Sequence, residues 1–178
     1  MQQQVPDHVA EAVEQCAKAA KQAAPSLAAA SDKAIDAALS AMAGRLESAR
    51  EEVLAANAED VAKAKADGMS AGLLDRLTVT EQRLAGMVEQ LELLSTTPHL
   101  EREIPVKELN GGLRLIERRR PVGVIGANYE ARPNVTVDIA SQLVKSRNGG
   151  VLRTGGAALA SAKKLMEVVI APGLADAG

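Results

Sequence analysis

Apolar residues recur at steps of three and four through the first hundred positions, the spacing of one face of an α-helix. From Ser31 they run Ile35, Leu39, Met42, Leu46 and Val53, with Ala49 filling the gap. Ser31-Asp32 predicts the start of that helix, because short polar side chains accept the free N–H groups of a first turn. An earlier helix is expected from roughly Val9 to Ala24, with Pro25 separating the two. Glu51-Glu52, Lys63 and Lys65 read as a solvated face. Gly68 and Gly72 break the pattern. A further helix is expected from near Thr80, carrying Leu84, Met87, Val88, Leu91 and Leu94, and ending at Thr96-Thr97-Pro98.

The texture then changes. Ile104 to Leu109 and Leu113 to Arg119 are short, partly alternating runs flanking Asn110-Gly111-Gly112, a hairpin signal. Pro121 to Gly126 is an apolar run that reads as a buried strand. Pro133 is suited to the first turn of a helix carrying Val137, Ile139, Leu143 and Val144. Asn148-Gly149-Gly150 is expected to turn the chain into a strand at Val151-Leu152-Arg153. Gly155-Gly156 then leads into a helix with Leu159, Leu165, Met166 and Val169, ended by Ile170-Ala171-Pro172. Strand–helix–strand–helix builds a parallel sheet. The fold class is therefore α/β: N-terminal helices, a β-hairpin, then two units of a Rossmann-like parallel sheet. Two parallel strands leave open edges, so the sheet is expected to be incomplete or to need a partner.

Composition changes this picture little. Of 178 residues, 47 % are hydrophobic and 25 % charged, which excludes a disordered chain. The apolar share is mostly Ala, with no Phe or Trp, so the core must be built from Ala, Leu, Val and Ile. A net charge of −2 offers no field for nucleic acid. Arg118, Arg119 and Arg120 read as a solvated strand end. One cysteine, Cys16, and two histidines, His8 and His99, make neither a disulfide nor a metal site. No apolar run is long enough to span a membrane. Met1-Gln2-Gln3-Gln4 lacks the basic and apolar regions of a secretory leader, so a cytoplasmic protein is expected.

Candidate chemistry falls on the loops after the two parallel strands, where open α/β sheets bind ligands. In the second, Arg153-Thr154-Gly155-Gly156, the glycines allow close backbone approach, a helix N-terminus offers N–H groups, and Arg153 can pair with phosphate. The same residues also suit an ordinary strand–helix turn. The first loop sets Asn128, Tyr129, Glu130, Arg132 and Asn134 within seven residues. Asn134 could donate its amide to a developing oxyanion or could cap its helix. Tyr129 could stack or simply pack.

The stretch Pro121-Val122-Gly123-Val124-Ile125-Gly126, followed by Tyr129-Glu130-Ala131-Arg132-Pro133-Asn134-Val135-Thr136-Val137-Asp138, resembles the gamma-glutamyl phosphate reductases of the aldehyde dehydrogenase superfamily. Leu74-Asp75-Arg76-Leu77, Asn110-Gly111, Lys145-Ser146 with Asn148, and Leu152-Arg153 fit in order. The resemblance runs from about Val9 to Gly178. It implies NADPH-dependent reduction of L-glutamyl 5-phosphate to L-glutamate 5-semialdehyde and phosphate, in proline biosynthesis. A cysteine thiolate attacks the acyl phosphate, and hydride reduces the resulting thioester. By position, Asn134 looks like the oxyanion-stabilising amide. Arg153 stands where a basic residue meets the adenosine ribose, which suits the 2′-phosphate of NADPH. Thr154, Gly155 and Gly156 would line the same cofactor edge. Arg132 is a candidate for the substrate's carboxylate or phosphate. The resemblance also implies a homo-oligomer.

The division it implies is a helical segment over 1–100, an oligomerisation-type hairpin over 101–120 and the first part of a nucleotide-binding domain over 121–178. The nucleophilic cysteine belongs to a later catalytic domain with no counterpart here, since Cys16 sits on the first helix. The chain is therefore expected to be the N-terminal portion of such an enzyme and inactive alone. The competing expectation is a non-catalytic remnant or interaction module that keeps part of the cofactor site. Arg147 stands where these reductases usually have Gly, and Gly149-Gly150 where they have small apolar residues. A non-Gly residue at positive φ costs about 1 kcal/mol, and Gly inside a strand weakens it similarly.

Overall fold

The computed structural model describes residues 7–178. Residues 1–4, read above as lacking a secretory leader, lie outside the described residues. Five helices come first: α1 (Asp7–Ala29), α2 (Asp32–Ser48), α3 (Arg50–Ala66), α4 (Ala71–Leu77) and α5 (Glu81–Thr96). Ser31 caps α2, accepting from the Ala34 amide at 3.1 Å, and Thr80 caps α5, accepting from the Arg83 amide at 3.2 Å. Both starts are those the short polar residues predict.

Three helical expectations are corrected. Pro25 does not separate two helices. It lies inside α1, which continues to Ala29 because Ala24 and Leu27 hold that end against the core. The apolar run from Ile35 to Val53 is two helices, not one. They break at Ala49, whose φ of −94° and ψ of 14° leave the helical region. Gly72 does not interrupt the chain but lies within α4, whose Leu77 is fully buried.

The hairpin is present as β1 (Glu103–Glu108) and β2 (Arg114–Arg118), paired antiparallel with a register shift between Pro105 and Lys107. Gly111 and Gly112 turn the chain at φ of 80° and 77°. Arg118 pairs with Glu103 across the hairpin, and Arg119 with Glu117 beside it. Val106, Leu113 and Leu115 remain at least half exposed, and only Ile104 and Ile116 of the two strands are partly buried.

The strand expected over Pro121 to Gly126 lies later, as β3 (Val124–Asn128). Gly123 precedes it at φ 116°, a bend that delays the extended run. Pro133 occupies the first turn of α6 (Pro133–Lys145). The chain then turns at Arg147, with φ 60°, and not at Asn148-Gly149-Gly150. Both glycines therefore lie in β4 (Gly149–Arg153), which runs parallel to β3 from Val124 opposite Gly149 to Asn128 opposite Arg153.

After a short 3₁₀ turn, α7 (Leu159–Leu165) passes through a wide turn at Met166–Ile170 into α8 (Ala171–Asp176). Pro172 does not end this helix. The wide turn bonds the Ala171 amide to the Met166 carbonyl, opening the spiral just where the proline ring would crowd the preceding turn.

One core joins the helices to the parallel sheet. Ile35, Leu39, Met42 and Leu46 of α2 meet Leu84, Met87 and Leu91 of α5, Val137, Ala140 and Val144 of α6, and Leu165, Val169 and Ile170 of the last helical segment. Each fully buried Leu or Ile contributes roughly 1.5–3 kcal/mol. Among the described residues no helix is long and apolar enough to cross a membrane.

Candidate active site

The parallel register brings Asn128 and Arg153 side by side at the carboxyl end of the sheet, so both ligand-facing loops start level. The Tyr129 amide donates to the Arg153 carbonyl at 3.0 Å, and Arg153 Nη1 donates to Asn128 Oδ1 at 3.0 Å. A Cβ on Gly155 would lie 2.9 Å from the Ala131 nitrogen, so the two loops touch backbone to backbone, an approach only glycine permits. Beyond this seam the residues singled out by sequence divide between two clefts.

The first cleft, about 310 Å³, lies between α4, α5 and α6 and is lined in part by Arg76, Arg83, Arg132, Asn134 and Asp138. Asn134 is not the helix cap. Arg132 holds that position without a side-chain cap bond, Pro133 follows it, and Asn134 turns along the helix to donate from Nδ2 to Asp138 Oδ2 at 3.4 Å. Burial raises the Asp138 pKa, against hydrogen bonds from Asn134 and Gln90 that lower it. Glu130 receives Arg132 at 3.2 Å and Arg76 at 3.3 Å. Arg132 Nε is buried without a partner. Tyr129 does not line this cleft; its hydroxyl lies 2.8 Å from Thr136 Oγ1, joining the loop to α6.

The second cleft, about 560 Å³, opens between the end of β4 and α7. Arg153 and Thr154 line it from the strand, with Lys163 and Glu167 opposite. Arg153 is exposed, whereas Thr154 Oγ1 is buried without a hydrogen-bond partner. Gly155 faces the first loop, and Gly156 opens the 3₁₀ turn. Two of the N–H groups at this helix start, those of Ala160 and Ser161, are taken. Asp60 of α3 accepts from Ala160 N at 3.2 Å and from Ser161 N and Oγ, each at 2.7 Å. Arg153 and Lys163 are the cationic side chains that line this cleft.

Sequence reasoning missed Asp60, Asp138, Arg83 and Lys163. Asp138 carried a signal, since it lies one helical turn after Asn134 and so shares its face. Arg76 was visible only within the Leu74-Asp75-Arg76-Leu77 stretch of the resemblance.

No family model matches the chain. Among curated proteins, it is 44 % identical over 151 residues to a gamma-glutamyl phosphate reductase from Shewanella pealeana, covering 84 % of this chain and 36 % of that relative. It superposes on the crystal structure of gamma-glutamyl phosphate reductase from Thermotoga maritima with a TM-score of 0.87 and 33 % identity, over 91 % of this chain and 39 % of that one. A Bacillus subtilis protein described as an aldehyde dehydrogenase aligns at TM-score 0.67 and 19 % identity, a likeness of fold alone, over 94 % of this chain and 34 % of that one. The chain thus spans little more than a third of the length of the reductases it matches.

Proposed function

The chain belongs to the gamma-glutamyl phosphate reductase family over the N-terminal stretch it shares with those enzymes, and from that premise we propose that it carries the substrate cleft and the cofactor edge of an NADPH-dependent reductase of L-glutamyl 5-phosphate. The observation that carries the reading is the sequence identity over 84 % of the chain together with the fold match over 91 %. The geometry supports it in two places.

The second cleft fits the 2′-phosphate end of NADPH. Among the described residues Arg153 has a single side-chain acceptor, Asn128, and keeps donors for a phosphate, with Lys163 across the opening. Thr154 Oγ1, buried and unpaired, is a polar group placed for a ligand atom. Gly155 keeps this strand end tight against the first loop. The bound cofactor supplies hydride. NADH, lacking the 2′-phosphate, leaves Arg153 and Lys163 without that acceptor.

In the first cleft Asn134 is the oxyanion donor. One of its amide hydrogens is directed to Asp138, which leaves the other for an acyl oxygen. Arg132 takes an anionic group of the substrate, its phosphate or carboxylate. The product is L-glutamate 5-semialdehyde, with phosphate released, a step of proline biosynthesis in the cytoplasm. The β1–β2 hairpin, largely exposed, is the arm through which such an enzyme forms a homo-oligomer.

The thiol is not among these groups. Cys16 is exposed on α1 and lines neither cleft. The chain is therefore expected to be inactive by itself. NADP reduction by glutamate semialdehyde and phosphate, measured on the purified chain, should be absent. Turnover that disappears in Cys16→Ala would overturn the placement of the nucleophile.

A further inference from the structure

We propose that Asp138 receives the α-ammonium group of the glutamyl substrate, and that this makes the first cleft selective for an amino acid over a plain diacid. The inference rests on the reading above and deepens it.

Asp138 is a half-buried carboxylate without a cation. The three guanidinium groups of the cleft face other acids: Arg76 and Arg132 meet Glu130, and Arg83 meets Asp75. Among the described residues no Lys, Arg or His contributes to the environment that sets its ionisation. Partial burial of an unpaired carboxylate costs stability, and burial already raises the pKa of this one. An incoming ammonium group would offset that cost.

The spacing agrees. Asn134 Nδ2 lies 3.4 Å from Asp138 Oδ2 one turn along α6, so an acyl oxygen on the free side of the amide and an ammonium on the free side of the carboxylate stand further apart than the two side-chain groups themselves. In a γ-glutamyl group the acyl carbon and the α-nitrogen are four bonds apart, about 5 Å when extended. A substrate lying along α6 with its acyl oxygen at Asn134 therefore sets its ammonium at Asp138. Its α-carboxylate and phosphate find guanidinium groups around the same opening. A volume of about 310 Å³ is at the small end of ligand sites, roughly 300–1,000 Å³, and suits a metabolite of this size.

The test compares L-glutamate with glutarate, which has the same carbon chain and no amino group. Each is titrated into the isotope-labelled chain, with the amide signals of residues 86–90, 132 and 134–138 followed by NMR. The wild type should bind glutamate roughly tenfold more tightly than glutarate, the value of one charge-assisted hydrogen bond. Asp138→Asn should bind both at the glutarate level. Equal binding by the wild type, or a preference that survives in Asp138→Asn, overturns the role of Asp138 and leaves the substrate cleft standing. If neither compound shifts these signals, the inference and the substrate reading of the cleft both fall. If Asp138→Asn does not fold, equal binding by the wild type still overturns the inference, and Asp138→Ser serves as the second variant for the same comparison.

Discussion

Arg147 donates its guanidinium to the carboxylate of Asp32, 115 residues earlier in the chain. The same side chain donates from Nε to the Ala30 carbonyl at 3.2 Å and is only 8 % exposed. Arg102 also reaches Asp32, at 2.7 Å, and Lys145 reaches Asp36 at 2.8 Å, beside His99 Nε2, which lies 2.7 Å from the same carboxylate. This ionic cluster ties the start of α2 to the turn that feeds β4. Arg147 thus has a structural role, and it is held there at a φ of 60°.

Two substitutions separate the contacts of Arg147 from its backbone. Arg147→Ala loses the bonds to Asp32 and Ala30 and keeps the unfavourable φ, while the exposed Asp32 keeps Arg102, so a loss of about 1–3 kcal/mol is expected. Arg147→Gly loses the same bonds but relieves the backbone, and should be less destabilised by about 1 kcal/mol. Denaturant unfolding of both variants checks the order. If Ala is the milder change, the strain argument is wrong.

The two glycines of β4 should respond in opposite ways to added methyl groups. At Gly149 a Cβ would meet the Ala20 carbonyl oxygen at 3.1 Å, a backbone atom of α1. At Gly150 it would meet Leu143 Cδ1 at 2.4 Å, the free end of a flexible side chain beside a cavity of about 370 Å³. Gly149→Ala should cost about 1 kcal/mol. Gly150→Ala should be neutral or gain up to about 1 kcal/mol from reduced chain entropy. Thermal melts of the two single variants test the contrast.

Asp60 holds α3 to α7 through three hydrogen bonds, to Ala160 N and to Ser161 N and Oγ. Asn57 extends the contact, donating to Leu77 O at 2.9 Å and to Ser161 Oγ at 3.1 Å. Asp60→Ala strands buried donors and should destabilise the chain by about 2–4 kcal/mol. Denaturant unfolding monitored by circular dichroism measures it; a loss below about 1 kcal/mol would show that water replaces the carboxylate there.

Acid should weaken the ionic cluster. Burial opposes the charge of Asp36, but Lys145 and His99 outweigh it and hold its pKa below the ordinary 3.8. The folded state then binds this proton less readily than the unfolded chain. The stabilisation is complete above the unfolded value and is lost as pH falls through the lower folded one. Asp138, raised by burial, contributes in the opposite sense. Asp36→Asn should lower the melting temperature at neutral pH and flatten its fall below about pH 4. A parallel displacement of the whole curve would place the acid sensitivity elsewhere.

What the sequence made legible was governed by local chemistry. Ser31 and Thr80 mark helix starts, and Asn110-Gly111-Gly112 marks the hairpin turn, because each acts on its own neighbours. Pro25 and Pro172 misled, since packing by Leu27 and the wide turn before Ala171 outweighed a missing N–H. The loops of the site were readable as motifs. Their division into two clefts was not, because it depends on α4 and α5 meeting α6, and the contact of Asp60 with the Ala160 and Ser161 amides, a hundred residues on, was no more visible.

The central claim is that the end of β4 holds a cofactor phosphate, and a fluorescence titration of the chain with NADPH and NADH tests it most directly. NADPH should bind more tightly, and Arg153→Ala should remove the difference by weakening NADPH selectively. Equal binding of the two cofactors to the wild type, or an equal loss for both in the variant, would contradict it.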